Sequence, residues 1–167
     1  KRQILNCIKD LEIHGRLFDL MHMPKSPQSK INIHLGSTCG NNRQLAFDNF
    51  CRNFDRLSES VKTRLTVEND DKESMFSSKM LYEGIYKQIG VPIVFDAHHH
   101  TLGPQDASYE EALAMAVETW PEGVRPTCHH SNSRKKYEDP SVSRHAAHSD
   151  YYYEPFTDHC HEVDVVF

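Results

Sequence analysis

A chain of 167 residues, 38% hydrophobic and 26% charged, can bury a core and is too apolar to be disordered. Its formal charge of −5 lacks the basic surplus usual for a nucleic-acid binder. Divalent ions would offset that, because they add positive charge where carboxylates cluster.

In chain order, Ile4, Leu5, Ile8, Leu11, Leu17, Phe18 and Met21 recur at helical spacing, and Pro24 ends that helix. Lys30–Leu35 reads as a strand: Ile31, Ile33 and Leu35 face one way, Asn32 and His34 the other. Asn41–Leu57 is an amphipathic helix carried by Ala46, Phe47, Phe50, Cys51, Phe54 and Leu57. A turn over Ser58–Arg64 leads into the strand Leu65–Asn69. The next helix is Ser74–Ile89, with Gly90 at its end and Pro92 opening the strand Ile93–Asp96. Ser108 and Glu111 have capping-box spacing, so a helix runs from there to Trp120. Arg125–His130 is a shorter strand, Ser131–Ser149 a polar loop, Tyr151–His161 an unpatterned aromatic stretch and Val163–Phe167 a last strand. No run is long and apolar enough to cross a bilayer. Five cysteines, none in a C-x-x-C pair, read as free thiols in a reducing intracellular compartment: the nucleus of a eukaryote, a bacterial cytoplasm or a viral factory.

Alternating helices and strands imply parallel strands joined by right-handed crossovers, in an open doubly wound sheet or a barrel. The polar strand ends decide between them. His34, Glu68, Asp96 and His129 stand at or near the carboxyl ends of four different strands. A barrel brings many strand ends to one axis, whereas an open sheet gathers them at one switch point. Only five strands are present, and a full (β/α)₈ TIM barrel takes ~250 residues. The expectation is therefore one incomplete α/β domain over 1–167, with roughly three strand–helix units absent ahead of Lys1 and the last strand cut short. Such a piece alone is expected to fold poorly, bind metal weakly and be inactive.

The sequence Pro92-Ile-Val-Phe-Asp-Ala-His-His-His100 places a carboxylate and three imidazoles at the mouth of a buried strand. That is costly unless a cation is held there. Imidazoles and carboxylates without an aligned thiolate suit Zn²⁺ or Mn²⁺. Two carboxylates, Glu68 and Asp96, are more than one ion needs, so a cluster is expected. Such clusters serve phosphodiester hydrolysis, and also aldose–ketose isomerisation. Spacing alone leaves both open.

Several strings resemble the ultraviolet-damage endonucleases, metal-dependent DNA repair enzymes with a xylose-isomerase-like barrel related to endonuclease IV. They are His14-Gly-Arg-Leu-Phe-Asp-Leu20, Ile33-His-Leu-Gly36, Leu65-Thr-Val-Glu-Asn-Asp-Asp-Lys72, Val94-Phe-Asp-Ala-His-His-His100, His129-His-Ser131, His148-Ser-Asp-Tyr151 and Asp164-Val-Val-Phe167. The resemblance implies that these cover about strands 4–8 of the barrel. It implies a DNA endonuclease cutting the backbone 5′ to UV photoproducts and other lesions in double-stranded DNA, with no obligate protein partner and no membrane. It implies two or three ions, Mn²⁺ first, with Zn²⁺, Mg²⁺ or Co²⁺ as alternatives. His34 and Glu68 would hold one, Glu68 would share a second with Asp96 and His129, and His99 and His148 would hold a third. Glu68, Asp96 and His129 would be catalytic, with Asn69, Lys72 and Tyr151 touching substrate. His98 and His100, read as strand-end neighbours pointing away from His99, would stand behind or outside the cluster. The family often carries a carboxylated lysine where this chain has Thr127. A degenerate, non-catalytic relative is the remaining alternative.

Overall fold

The computed structural model describes residues 2–167. Five strands form one sheet: β1 Ile31–Ile33, β2 Leu65–Glu68, β3 Ile93–Asp96, β4 Thr127–His129 and β5 Asp164–Val166. Every pairing is parallel, and the order across the sheet is the order in the sequence. A doubly wound sheet reverses direction at a switch point. Here each strand adds to the same side of the one before, as in the wall of a TIM-type barrel. Among the described residues, β1 and β5 are the two edges.

Helices α1 Arg2–Leu20, α2 Arg43–Phe54, α3 Glu59–Lys62, α4 Ser78–Leu81, α5 Lys87–Ile89, α6 Ala97–Leu102, α7 Tyr109–Glu118 and α8 Arg134–Tyr137 fill the connections. α4 runs through a π-helical turn, Tyr82–Tyr86, into α5. That turn holds Gly84 against α2, where a Cβ would lie 2.4 Å from the Phe47 ring. The capping box forms as its spacing predicts, with Ser108 and Glu111 bonding reciprocally at the start of α7. The end of α7 then completes β3: the Thr119 hydroxyl accepts from the Ile93 N–H, and the Trp120 indole donates to the Ile93 carbonyl, each at 2.8 Å.

Three predicted stretches come out differently. The turn Ser58–Arg64 contains α3, and the loop Ser131–Ser149 contains α8. The histidine run does not extend β3. Asp96 caps α6 by accepting from the His99 N–H at 2.8 Å, so all three histidines are helical.

The two faces of the sheet differ in chemistry because side chains alternate along each strand. Ile31, Leu65, Val67, Ile93, Phe95 and Cys128 join Phe47, Phe76, Leu81, Ile85 and Leu113 in the core under the helices. The opposite, inner face carries Asn32, Thr66, Glu68, Val94, Asp96, Thr127 and His129. The apolar run Ile93–Phe95 is fully buried, as expected.

Arg64, just before β2, has no exposed surface. Its guanidinium donates to the Pro24, Met23 and Ser60 carbonyls at 2.9, 2.7 and 3.0 Å, and to Asp19 at 2.9 Å. It ties the end of α1 to the start of β2. Arg64→Met leaves three carbonyls without their donor, and we expect a loss of about 3 kcal/mol in urea unfolding. A loss below about 1 kcal/mol would contradict the anchoring role.

The Cys128 thiol faces the core, where burial pushes it up to about 12. In the native protein a disulfide reagent should label the exposed Cys7 and Cys160 within minutes and spare Cys128 until urea is added. Prompt labelling of Cys128 would contradict its packing.

Candidate metal centre

Register builds the site. Asp96 pairs with His129 across β3 and β4, and Glu68 ends β2 on the same inner face. His34 follows β1 directly, and His99 enters from the first turn of α6. Glu68 is 5% exposed and is the hub. One carboxylate oxygen lies 3.2 Å from His99 Nδ1 and 3.7 Å from His34 Nε2. The other lies 3.2 Å from His129 Nδ1 and accepts from the Asn32 amide. His99 Nδ1 is also 3.6 Å from Asp96 Oδ2.

Two sets of ligand atoms emerge, each within 4.8 Å: His34, Glu68 and His99 on one side, Glu68, Asp96 and His129 on the other. Glu68 belongs to both, one oxygen toward each. Imidazole nitrogens and carboxylate oxygens are the donors that divalent zinc and manganese take. Two buried carboxylates side by side are unfavourable without a cation. The donor set therefore fits a pair of bound divalent ions.

The electrostatics are consistent with such a site. Burial alone would raise the Glu68 carboxyl, but hydrogen bonds from His129 and His99 outweigh it and hold Glu68 well below the usual carboxylate range. Burial opposes the charged form of His99, yet its bond to Glu68 and the Asp96 charge carry it up to about 9. Burial pushes Asp96 up. The hydrogen bond with Asp70 raises His34.

The remaining sequence candidates separate clearly. His148 stacks edge-on to His98 at 5.2 Å between ring centroids and lies 6.0 Å from His99, so it borders the cluster outside both ligand sets. His98 and His100 are buried rather than at the surface. Burial, reinforced by His148, pushes His98 down to about 4. His100 packs against Phe95 and Tyr109. Asn69, expected to touch substrate, is 1% exposed. Its amide donates to the Asp96 carbonyl at 2.9 Å and accepts from the Asp96 N–H at 2.8 Å, so it clamps β2 to β3. Lys72 and Tyr151 are exposed. Thr127 is 4% exposed on the inner face, two residues before His129.

Two contributors were missed in the sequence. Asp70 lies 3.2 Å from His34 Nδ1 and orients that ring, leaving Nε2 toward Glu68. Asn32 holds the other Glu68 oxygen. Asn32 alternates with His34 on the inward face of its strand, a signal that was available.

The family model for UV-endonuclease UvdE matches residues 1–166. The chain belongs to the UvdE family. It is 34% identical over 148 residues to the UV DNA damage endonuclease of Bacillus velezensis, covering 87% of this chain and 42% of that protein. With the UV DNA damage endonuclease of Bacillus cereus strain G9842 it shares 34% over 134 residues, 80% of this chain and 40% of the relative. The crystal structure of SacUVDE matches 99% of this chain and 53% of its own at 28% identity, with a TM-score of 0.81. This member therefore spans about half the length, or less, of the UvdE relatives it matches. None of these relatives favours the sugar-isomerase alternative.

Gly103 lets the two halves of the centre approach. A Cβ there would stand 2.4 Å from the Asp70 carbonyl and 3.1 Å from that of His99. We expect Gly103→Ala to force apart the segments that place His34 and His99, weakening Mn²⁺ binding about tenfold by isothermal titration. Wild-type affinity would show that these segments tolerate separation.

Proposed function

We propose that this chain provides most of the metal centre of a DNA repair endonuclease. The enzyme hydrolyses the phosphodiester 5′ to UV photoproducts and other lesions in double-stranded DNA. The observation that carries the reading is the Glu68 carboxylate shared by two ligand sets, in a member of the UvdE family. We assign residues 1–167 as one partial barrel, equivalent to about strands 4–8, which the sequential parallel strands and the half-length match support. An intracellular location follows from this reading. No helix among the described residues is long and apolar enough to cross a membrane.

Bound divalent ions, with Mn²⁺ preferred, supply Lewis acidity and lower the pKa of water for attack on phosphorus. The chain's own residues do the rest. Glu68 stays ionised against burial and keeps the two ligand sets at a fixed separation. His34 and His99 complete one set, Asp96 and His129 the other. We assign His148, beside His98 and His99, to a third ion's ligands. Asp96 is fixed twice, by its cap on α6 and by the Asn69 clamp on its backbone, so its carboxylate enters the site with little freedom. Glu68, Asp96 and His129 are the groups we place nearest the reacting phosphate. Lys72 and Tyr151, both exposed, are the proposed DNA contacts, and Thr127 takes the place of a modified lysine without a charge of its own.

With Mn²⁺, the full-length protein should nick UV-irradiated duplex and leave the unirradiated duplex intact; equal cutting of the two would contradict the reading. Glu68→Gln keeps the shape and removes the charge. We expect it to lose at least one bound metal by elemental analysis and to slow nicking by ~10³-fold or more. Unchanged metal stoichiometry would refute the shared-ligand role.

A further inference from the structure

The inner face carries a polar relay behind the cluster that no metal ligand accounts for. Asn32 and Thr66 are register partners across β1 and β2, and Glu68 follows Thr66 by two residues on the same face. The Thr66 hydroxyl donates to Asn32 Oδ1 at 3.0 Å. The Asn32 amide nitrogen donates to Glu68 Oε2. The amide cannot be reversed at equal cost, because its oxygen would then face a carboxylate oxygen, acceptor against acceptor. Thr66 is fully buried, so its hydroxyl has no water to turn to.

We propose that Asn32 is a positioning residue that sets the orientation of the Glu68 carboxylate before metal arrives, with Thr66 acting through it. The inference rests on Glu68 being a metal ligand. A carboxylate at the end of a side chain with several rotatable bonds has many ways to present its oxygens. Sharing it between two ligand sets requires one of them. His34 and His99 crowd one oxygen, and His129 lies near the other. Those three imidazoles are the groups that turn to metal when it binds, so they cannot also hold the carboxylate still. Asn32 can, because a neutral amide donor does not compete for the ions. A carboxylate oxygen has two acceptor positions, so the bond from Asn32 leaves one for a metal. Thr66 completes the device by fixing which way the amide faces.

The test is Mn²⁺ titration calorimetry on the full-length protein and four variants: Asn32→Ala, Thr66→Val, the double variant and Glu68→Gln. The melting temperature of each metal-free protein is recorded alongside. Asn32→Ala should weaken Mn²⁺ binding about tenfold, as for loss of a group that orients a ligand. Its metal-free melting temperature should fall by only a few degrees, as for a buried hydroxyl left without its partner. Thr66→Val, of the same shape, should cause a smaller loss. The double variant should be no worse than Asn32→Ala, since Thr66 has nothing to act through once the amide is gone. Unchanged affinity in Asn32→Ala, with metal lost in Glu68→Gln, overturns this inference alone. Unchanged binding in Glu68→Gln overturns it together with the metal-centre reading. Fully additive losses in the double variant overturn the relay. If Asn32→Ala does not fold, Thr66→Val decides, and wild-type affinity there counts against the proposal.

Discussion

A single buried carboxylate constrains everything around it. Glu68 ends a strand whose residues are all buried, and a charge in that position is unfavourable unless it is surrounded by partners. Three imidazoles and one amide converge on its two oxygens from the ends of neighbouring strands and the start of α6. The partners come from three places, β1 with the residue that follows it, β4 and α6, so the carboxylate cannot move without disturbing much of the sheet's carboxyl edge. Such a group is suited to hold two cations at a fixed separation.

The sheet makes that convergence possible. Sequential parallel strands place their carboxyl ends side by side, and the alternation of side chains sends apolar residues outward under the helices and polar ones inward. The connections then do specific work. Asp96 caps α6, and that cap delivers His99. Asn69 joins β2 to Asp96 through its backbone, so the two carboxylate-bearing strand ends are tied directly. On the far side, Arg64 anchors the start of β2 to the end of α1. Both ends of the strand that carries Glu68 are thus pinned by buried polar groups, while its apolar residues pack outward.

Much of this was legible in the sequence because strand periodicity and ligand chemistry coincide. Glu68 and Asp96 each close a largely apolar strand, His34 and His129 stand just past or at the ends of theirs, and that position is what marked them. The resemblance to ultraviolet-damage endonucleases singled out His99, and the geometry supplies a different reason from alternation along a strand. The histidines are helical because Asp96 caps them, and a one-residue cap is a weak signal beside an apolar run that ends in histidine. The resemblance also makes Asn69 a substrate contact. Only the register of β2 and β3 shows its amide spent on the neighbouring backbone. Asp70 and Asn32 were passed over for the opposite reason. Their roles depend on a partner from another strand, which sequence spacing does not display. His148 reaches the cluster through a loop whose path depends on an isolated bridge to Ser133, and no local pattern predicts such a contact.

The central claim is that two cations sit on either side of Glu68. Anomalous diffraction at the manganese edge, from crystals of the full-length protein grown with Mn²⁺, tests it most directly. The account predicts two strong peaks at about 2.0–2.2 Å from opposite oxygens of Glu68. One should fall between His34 and His99, and the other between Asp96 and His129. Peaks that leave Glu68 without a metal neighbour, or a single ion bound away from both ligand sets, would contradict it.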